Sequence, residues 1–273
     1  MSEEILLQAK NVSVRYPGSE KNALESVSFG VCRGEILMLA GGSGSGKSTL
    51  LGLLAGLLPD GCRVTGEALF AGKNLCALSE KEFFPLRGGT IGTIFQSPGA
   101  YLDPRMTIGA QTAEIFSVHQ KVRKKEARRL AEDALTPFFG KECGRIFDSF
   151  PFELSGGQLQ RASIAMASSL SPSLLLCDEP TSALDAFSAA QTAQLLRDLS
   201  REKNVSILMT THNLPLALSL GDRIMILHEG TLVETGTPEA VARSPKAAYT
   251  KALLQAADFS ERRASDGENR SLT

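Results

Sequence analysis

A glycine-rich segment constrains the fold of this chain more than any other feature, and it reads Gly41-Gly42-Ser43-Gly44-Ser45-Gly46-Lys47-Ser48. It follows an apolar run at residues 35–40, typical of a buried strand, and precedes residues 48–58, whose pattern indicates a helix stopped by Pro59. Glycines between a strand and a helix let backbone N–H groups converge on phosphate oxygens, and the helix N-terminus adds partial positive charge. The segment therefore predicts a nucleoside triphosphate site on an α/β fold.

Two side chains of this segment have specific predicted roles. Lys47 should reach the β- and γ-phosphates, and the Ser48 hydroxyl should ligate Mg²⁺. The residues expected to contact the nucleotide here are Gly41, Gly42, Ser43, Gly44, Ser45, Gly46, Lys47, Ser48 and Thr49.

An acidic pair follows a second apolar run, Leu174–Cys177. Because this run is expected to be a buried parallel strand, Asp178 should lie at its carboxyl end, where open α/β sheets bind ligands. Asp178 is predicted to hold Mg²⁺ directly or through water, and Glu179 to position the water that attacks the γ-phosphate. An Asp-Glu pair alone more often forms a solvated turn, but the strand before it and the phosphate-binding segment favour the catalytic interpretation.

The pattern along the chain predicts a parallel, doubly wound core interrupted by helices. Short apolar strands alternate with helices in residues 1–96 and again in residues 170–257, whereas residues of about 97–169 have helical patterning. We expect one domain over residues 1–257, with residues 97–169 as a helical insertion. The polar residues 258–273 are expected to be disordered.

Charge and composition exclude several classes of protein. The chain has 29 basic and 30 acidic residues, so no global field favours nucleic acid. Its start lacks the pattern of a signal peptide, and no apolar run approaches the roughly 18 residues of a membrane span. Five scattered cysteines predict neither a zinc site nor a disulfide framework. A basic stretch at residues 121–129 is an alternative nucleic-acid surface, but without interleaved aromatics a solvated helix face is favoured.

A pentapeptide, Leu154-Ser155-Gly156-Gly157-Gln158, lies between the phosphate-binding segment and the acidic strand. With these three motifs the chain closely resembles the ATP-binding subunits of ABC transporters, over nearly its whole length to about Leu254. The resemblance implies a P-loop NTPase fold, in which a RecA-like parallel core sheet is joined by an N-terminal antiparallel β subdomain and an inserted α-helical subdomain. It also implies ATP and Mg²⁺ as the bound groups.

The resemblance gives roles to further residues. Tyr16 resembles the aromatic that stacks on adenine, with an ordinary strand tyrosine as the alternative. Gln96 resembles the glutamine that senses Mg²⁺ and the attacking water, so the implied metal ligands are Ser48, Gln96 and Asp178. Asp185 resembles the residue of the loop that crosses to a partner subunit, and His212 the histidine that contacts the γ-phosphate.

Two positions depart from the pattern of the family. Asn213 stands where Asp is usual, with an effect that the sequence leaves open. Gly42 stands where Glu is common, and the loop should tolerate it because glycine adopts many backbone angles. The catalytic set implied by the resemblance is Lys47, Gln96, Glu179 and His212.

The pentapeptide has a physical role of its own. Ser155 is predicted to cap a helix that begins near Gly157. Gly156 and Gly157, which precede Gln158, are predicted to expose the N–H groups of this helix as a second binding site for a γ-phosphate, here called the second cradle. In the family this cradle faces the nucleotide of a partner subunit, head to tail. The resemblance thus implies a second ABC ATPase subunit, either the same chain or a homologue. It also implies two transmembrane permease subunits and, indirectly, a solute-binding protein, with no nucleic acid.

Several stretches resemble the importers of oligopeptides, dipeptides and nickel. They are Ile94–Pro98 with Leu102–Gly109, Phe150–Glu153, and Ser244–Leu254. The expected function is therefore ATP hydrolysis that energises an importer of short peptides, nickel or metal chelates, on the cytoplasmic face of a membrane. The alternatives are the ATPase of an exporter, a soluble ABC ATPase of DNA repair or translation, and a regulatory subunit that only binds ATP. The cargo cannot be identified from this chain.

Overall fold

Two β-sheets organise the chain in the computed structural model, which describes residues 4–257. The first sheet is antiparallel and contains β1 (Ile5–Arg15), β2 (Leu24–Cys32), β4 (Arg63–Phe70) and β5 (Lys73–Asn74) in the order β2-β1-β4-β5. The second contains β3 (Ile36–Ala40), β6 (Ile91–Ile94), β7 (Leu174–Asp178), β8 (Ser206–Thr211), β9 (Arg223–His228) and β10 (Thr231–Gly236). Its order is β10-β9-β3-β8-β7-β6.

The second sheet is parallel from β6 to β9, and only its edge strand β10 is antiparallel. This confirms the predicted α/β class with a parallel core. Ala40 pairs with Thr211, and Asp178 pairs with Thr210. The carboxyl ends of β3, β7 and β8 therefore meet at one edge of the sheet, which is where such sheets bind ligands.

The helices fill the connections between these strands. They are α1 (Lys47–Leu54), α2 (Glu80–Phe83), α3 (Ile108–Gln120), α4 (Lys124–Phe139), α5 (Cys143–Asp148), α6 (Gly156–Ser168), α7 (Ala186–Lys203), α8 (Leu214–Leu220) and α9 (Pro238–Arg243). A further helical segment occupies residues 248–257. Helices α3 to α6 follow one another between β6 and β7 and enclose a separate apolar core that includes Ile108, Leu135 and Ile146.

The central strand β3 is buried on both faces. Leu37 and Leu39 join a core with the antiparallel sheet and α1, whereas Ile36 and Met38 join a core with α7 and α8. Burial on both faces explains why this strand is an unbroken apolar run rather than an alternating one.

The helix predicted over residues 48–58 is shorter than expected. It ends at Leu54, and Gly56 two residues later has a φ of +64°. A Cβ at Gly56 would lie 2.8 Å from the ring of Phe83, so both backbone angle and space require glycine here. Within residues 4–257, no helix combines the length and apolar character needed to cross a bilayer. The disorder expected for residues 258–273 concerns a segment outside the described residues.

Candidate functional site

The loop between β3 and α1 is folded around Lys47. The Lys47 Nζ donates hydrogen bonds to the carbonyl oxygens of Gly41 at 2.9 Å and Gly42 at 3.0 Å, and the residue is 6% exposed. Gly46 precedes the helix with a φ of +104°, and a Cβ there would lie 2.6 Å from the carbonyl oxygen of Ala23. Only glycine fits at this position, and the loop thereby presents its backbone N–H groups at the start of α1.

Asp178, at the end of β7, lies beside the first turn of α1. The Ser48 hydroxyl donates to Oδ1 of Asp178 at 3.3 Å, and the Thr210 hydroxyl donates to the same oxygen at 2.7 Å. The hydroxyl and carboxylate oxygens are the donor type that Mg²⁺ prefers, and Mg²⁺ in phosphate sites uses one or two such protein ligands. The residues present therefore fit the predicted metal.

Glu179 is held by contacts to two segments, the start of α1 and the end of β8. Its Oε2 lies 2.7 Å from Nδ1 of His212, its Oε1 lies 3.7 Å from Nζ of Lys47, and its backbone N–H donates to the Thr210 hydroxyl at 3.0 Å. Its φ of +44° is uncommon for a residue with a side chain, and such strain is concentrated at functional sites. The structure thus brings three of the four predicted catalytic residues into contact.

Thr210 is a site residue that the sequence analysis missed. It is fully buried, and its hydroxyl accepts from the N–H of Glu179 while donating to Asp178. One side chain therefore orients both acidic residues. The available signal was a polar residue one position before the end of the buried strand β8.

Gln96, the fourth predicted catalytic residue, is linked to the same segment indirectly. Its Nε2 donates to the Ser182 hydroxyl at 3.2 Å, and Ser182 donates to the carbonyl oxygen of Glu179 at 3.0 Å. This places Gln96 next to the loop that carries Glu179. Its role as a metal ligand stays a prediction.

Tyr16 lies against the first turn of α1. Its hydroxyl is hydrogen-bonded to the hydroxyl of Thr49 at 3.1 Å, and its ring is half-buried. Tyr16 therefore lies beside Thr49, the last residue of the predicted phosphate-binding segment. Stacking of Tyr16 on adenine stays a prediction.

The pentapeptide forms the start of α6, one residue earlier than expected. The hydroxyl of Ser155 accepts from the N–H of Gln158 at 3.3 Å, and the side chain of Gln158 accepts from the N–H of Ser155 at 3.2 Å. This reciprocal pair is a capping box. Gly156 and Gly157 follow it directly, with Leu184 and Ser188 as their nearest neighbours. The segment that contains Leu184 and Ser188 therefore lies next to the two glycines of the pentapeptide.

Asp185 and Asn213 both cap helices. Asp185 accepts from the N–H of Ser188 at 2.9 Å and from its hydroxyl at 2.7 Å, and these bonds hold the pKa of the Asp185 carboxyl below its usual value. Asn213 accepts from the N–H of Leu216 at 3.0 Å at the start of α8. Since Asp and Asn cap helices about equally well, the departure at position 213 preserves the local structure.

An apolar cleft of about 340 Å³ lies beside β6, on the side of the helical insertion. Phe95 and Tyr101 stack at its wall with ring centroids 3.9 Å apart, and Tyr101 is 63% exposed. Other apolar side chains along it are Leu57, Leu102, Ile115 and Met166. The cleft includes Phe95, the neighbour of Gln96 in sequence, and Gln96 is linked through Ser182 to the loop of Glu179.

A glycine loop after β3, an acidic pair at the end of β7 and a histidine after β8 define a P-loop nucleoside triphosphatase. Residues 24–182 match the family described as ABC transporter. The oligopeptide transport ATP-binding protein OppD of Bacillus subtilis is 39% identical over 253 residues, covering 91% of this chain and 71% of OppD. The metal-staphylopine import system ATP-binding protein CntD of Staphylococcus aureus is 33% identical over 249 residues, covering 91% of this chain and 92% of CntD.

The chain is also similar to a solved structure of an ATP-binding cassette. The dimeric post-hydrolysis structure of the ATP-binding cassette MJ0796 with ADP and Pi has a TM-score of 0.74 at 30% identity, over 85% of this chain and 98% of that one. The chain therefore belongs to the ABC transporter family. It is an ABC-type ATPase, as the resemblance implied.

Proposed function

We propose that the chain is the ATP-binding and hydrolysing subunit of an ABC importer for short peptides, nickel or metal chelates. The observation that carries the proposal is the contact of Glu179 with both Lys47 and His212, which brings together three of the four predicted catalytic residues. It occurs in a chain that is similar over 91% of its length to OppD and CntD, which are by name oligopeptide and metal-staphylopine transport proteins. The relatives favour an importer over an exporter or a soluble ABC ATPase.

The chemistry is attack of water on the γ-phosphate of ATP. Glu179 is the general base that orients the water, and its two carboxylate contacts fix the direction in which it accepts a proton. Lys47 neutralises charge on the β- and γ-phosphates, and His212 contacts the γ-phosphate. Ser48 and Asp178 would hold Mg²⁺, and Gln96 would be a further ligand. When bound, Mg²⁺ would neutralise developing phosphate charge.

The assembly that supports this chemistry is a head-to-tail dimer with two ATP molecules at the interface. The capping box occupies the N–H groups of Ser155 and Gln158. The N–H groups of Gly156 and Gly157, in the first turn of α6, are the proposed anion site. We assign this terminus to the γ-phosphate of a partner subunit, and Asp185 to the loop that crosses the interface. The partner is a second copy of this chain or a homologous ATPase.

The apolar cleft beside β6 is the proposed docking surface for a short helix of one transmembrane permease subunit. The proposed transporter contains two such permease subunits, and a solute-binding protein acts indirectly through them. This gives the chain a peripheral position on the cytoplasmic face of the membrane. Leu57→Glu should abolish co-purification with the permeases, because Leu57 lies in the cleft and is 46% exposed. Ile5→Glu is the matched control, since Ile5 is 52% exposed in the antiparallel sheet.

Uptake measurements test the function as a whole. Deletion of the gene should abolish uptake of labelled dipeptides and oligopeptides, of nickel, or of a metal chelate. Complementation by the wild-type chain should restore the uptake, and complementation by Glu179→Gln should not. Unchanged uptake of every one of these solutes would contradict the proposal.

A further inference from the structure

A tyrosine of the C-terminal helical segment contacts the phosphate-binding loop. The hydroxyl of Tyr249 accepts a hydrogen bond from the backbone N–H of Gly42 at 2.9 Å, although the two residues are 207 positions apart. The ring of Tyr249 stacks on His228, at the end of β9, with centroids 3.7 Å apart and an interplanar angle of 19°. Stacking on a residue of the core sheet fixes the direction of the hydroxyl.

The segment that carries Tyr249 is itself anchored on both sides. The carboxylate of Glu234, in β10, accepts from the N–H groups of Lys246 at 2.8 Å and Ala247 at 3.1 Å. Leu253 and Leu254 pack against the core formed by α7 and α8. Tyr249 therefore reaches the loop from a rigid support, rather than from a free end.

The hydroxyl of Tyr249 also explains the glycine at position 42. A Cβ on Gly42 would lie 3.0 Å from this hydroxyl, with no other atom of the described residues among its neighbours within 4 Å. The φ of Gly42 is not in the left-handed region, so its backbone would accept a side chain. A side chain at position 42 would therefore crowd the Tyr249 hydroxyl, whereas the loop conformation itself would accept it.

We infer that Tyr249 is a positioning residue for ATP, and that the C-terminal helical segment uses it to set nucleotide affinity. The hydrogen bond from the Gly42 N–H to Tyr249 holds the first residues of the phosphate-binding loop in place. The N–H groups of the following residues are then oriented towards the phosphates before ATP binds. Pre-ordering of this kind lowers the entropy cost of binding. The inference rests on the proposed role of residues 41–49 as the phosphate site.

The first test is the affinity of the full chain for Mg²⁺ with the non-hydrolysable analogue AMP-PNP, measured by calorimetry. Tyr249→Phe keeps the ring on His228 and removes only the hydroxyl, so the protein should fold normally. We expect its Kd to rise about 2- to 10-fold, the range for one hydrogen bond. In ATPase assays the KM should rise by the same factor with kcat unchanged. Lys251→Ala, an exposed change in the same segment, should leave the Kd unchanged.

The second test is a double-mutant cycle with Gly42→Ala. In the wild-type background the added methyl crowds the Tyr249 hydroxyl and should weaken its hydrogen bond, raising the Kd about 2- to 10-fold. In the Tyr249→Phe background, which lacks the hydroxyl, it should raise the Kd less than about 2-fold. Equal effects in both backgrounds, or an unchanged Kd in Tyr249→Phe, would overturn the inference alone. Absence of AMP-PNP binding by the wild-type chain would overturn the nucleotide site as well.

Discussion

Nδ1 of His212 lies 2.7 Å from Oε2 of Glu179, across the carboxyl ends of two neighbouring parallel strands. Glu179 follows β7 directly, and His212 follows β8. The side chain of Glu179 is 16% exposed and that of His212 is 61% exposed, so the carboxylate is sheltered while the imidazole faces outward. This arrangement suits a base that must be kept in one orientation and a histidine that must reach a substrate phosphate.

The first prediction follows from the contacts of Glu179. Glu179→Gln keeps the size and one acceptor oxygen but removes the basic oxygen, so ATP binding should persist while turnover falls by at least about 10²-fold, the scale of a lost general base. Single-turnover hydrolysis with purified protein measures both quantities. Glu202→Gln is the matched control, because Glu202 is exposed near the opposite end of α7. Near-normal turnover of Glu179→Gln would remove Glu179 from the catalytic role.

A second prediction concerns Thr210. Thr210→Val has nearly the same shape but leaves the N–H of Glu179 without its acceptor and removes one of the two hydroxyl groups that donate to Asp178. An unsatisfied buried group costs about 1–3 kcal/mol, so we expect a comparable loss of stability and a turnover lower by about 10-fold or more. The Mg²⁺ concentration for half-maximal activity should also rise, since Asp178 is then less well oriented.

Thr210→Ser is the control for this change, because it retains the hydroxyl and loses only a methyl group. It should restore the Mg²⁺ requirement to the wild-type value even if some packing is lost. If Ser and Val behaved alike, Thr210 would be a packing residue without influence on the acidic pair.

The main features of the site were predictable because each one is local in sequence. The sequence neighbours of each motif determine its local structure. This holds for a glycine segment between a strand and a helix, and for an acidic pair after a buried strand. Parallel strands place their carboxyl ends at one edge, so the proximity of Asp178 to Ser48 followed from the fold class alone. His212 was assigned to the γ-phosphate by the resemblance to the family, and its contact with Glu179 is a finding of the structure.

Features that depend on distant partners were not predictable. Strand β4 has only a weak alternating pattern, with most of its first half exposed, and it forms because it pairs along β1. The contact of Tyr249 with Gly42 joins two elements at opposite ends of the chain. No local pattern signals such a bond. The sequence indicated only that the loop tolerates glycine at position 42, whereas the structure shows the Tyr249 hydroxyl beside it.

The third prediction resolves the departure at position 213. Asn213 caps α8, so Asn213→Ala should lower the free energy of unfolding by about 1 kcal/mol, whereas Asn213→Asp should leave it nearly unchanged. Urea unfolding of the three proteins measures the difference. Equal destabilisation by Ala and Asp would show that capping is not what position 213 provides.

The last prediction concerns the pentapeptide and the partner subunit. A Cβ at Gly156 would lie 3.9 Å from its nearest neighbour, Leu184, which is an ordinary contact. Alanine is also favoured over glycine inside a helix by about 1 kcal/mol, so Gly156→Ala should not destabilise the isolated chain. The methyl group would instead meet the γ-phosphate of a partner. We therefore expect Gly156→Ala to reduce the ATP-induced closed dimer that Glu179→Gln should accumulate, by about 10-fold or more, as for loss of one charged hydrogen bond.

Size-exclusion chromatography with ATP, in the Glu179→Gln background, measures this effect with the chain alone and with each homologous ATPase partner. Gly144→Ala makes the same chemical change in α5, where a Cβ would meet nothing within 4 Å of the described residues, and it should leave the dimer intact. Gly157→Ala is unsuitable because its Cβ would lie 2.9 Å from the hydroxyl of Ser188. If Gly156→Ala formed the dimer as readily as Gly144→Ala, the start of α6 would not face the nucleotide of a partner, and the head-to-tail assembly would have to be rejected.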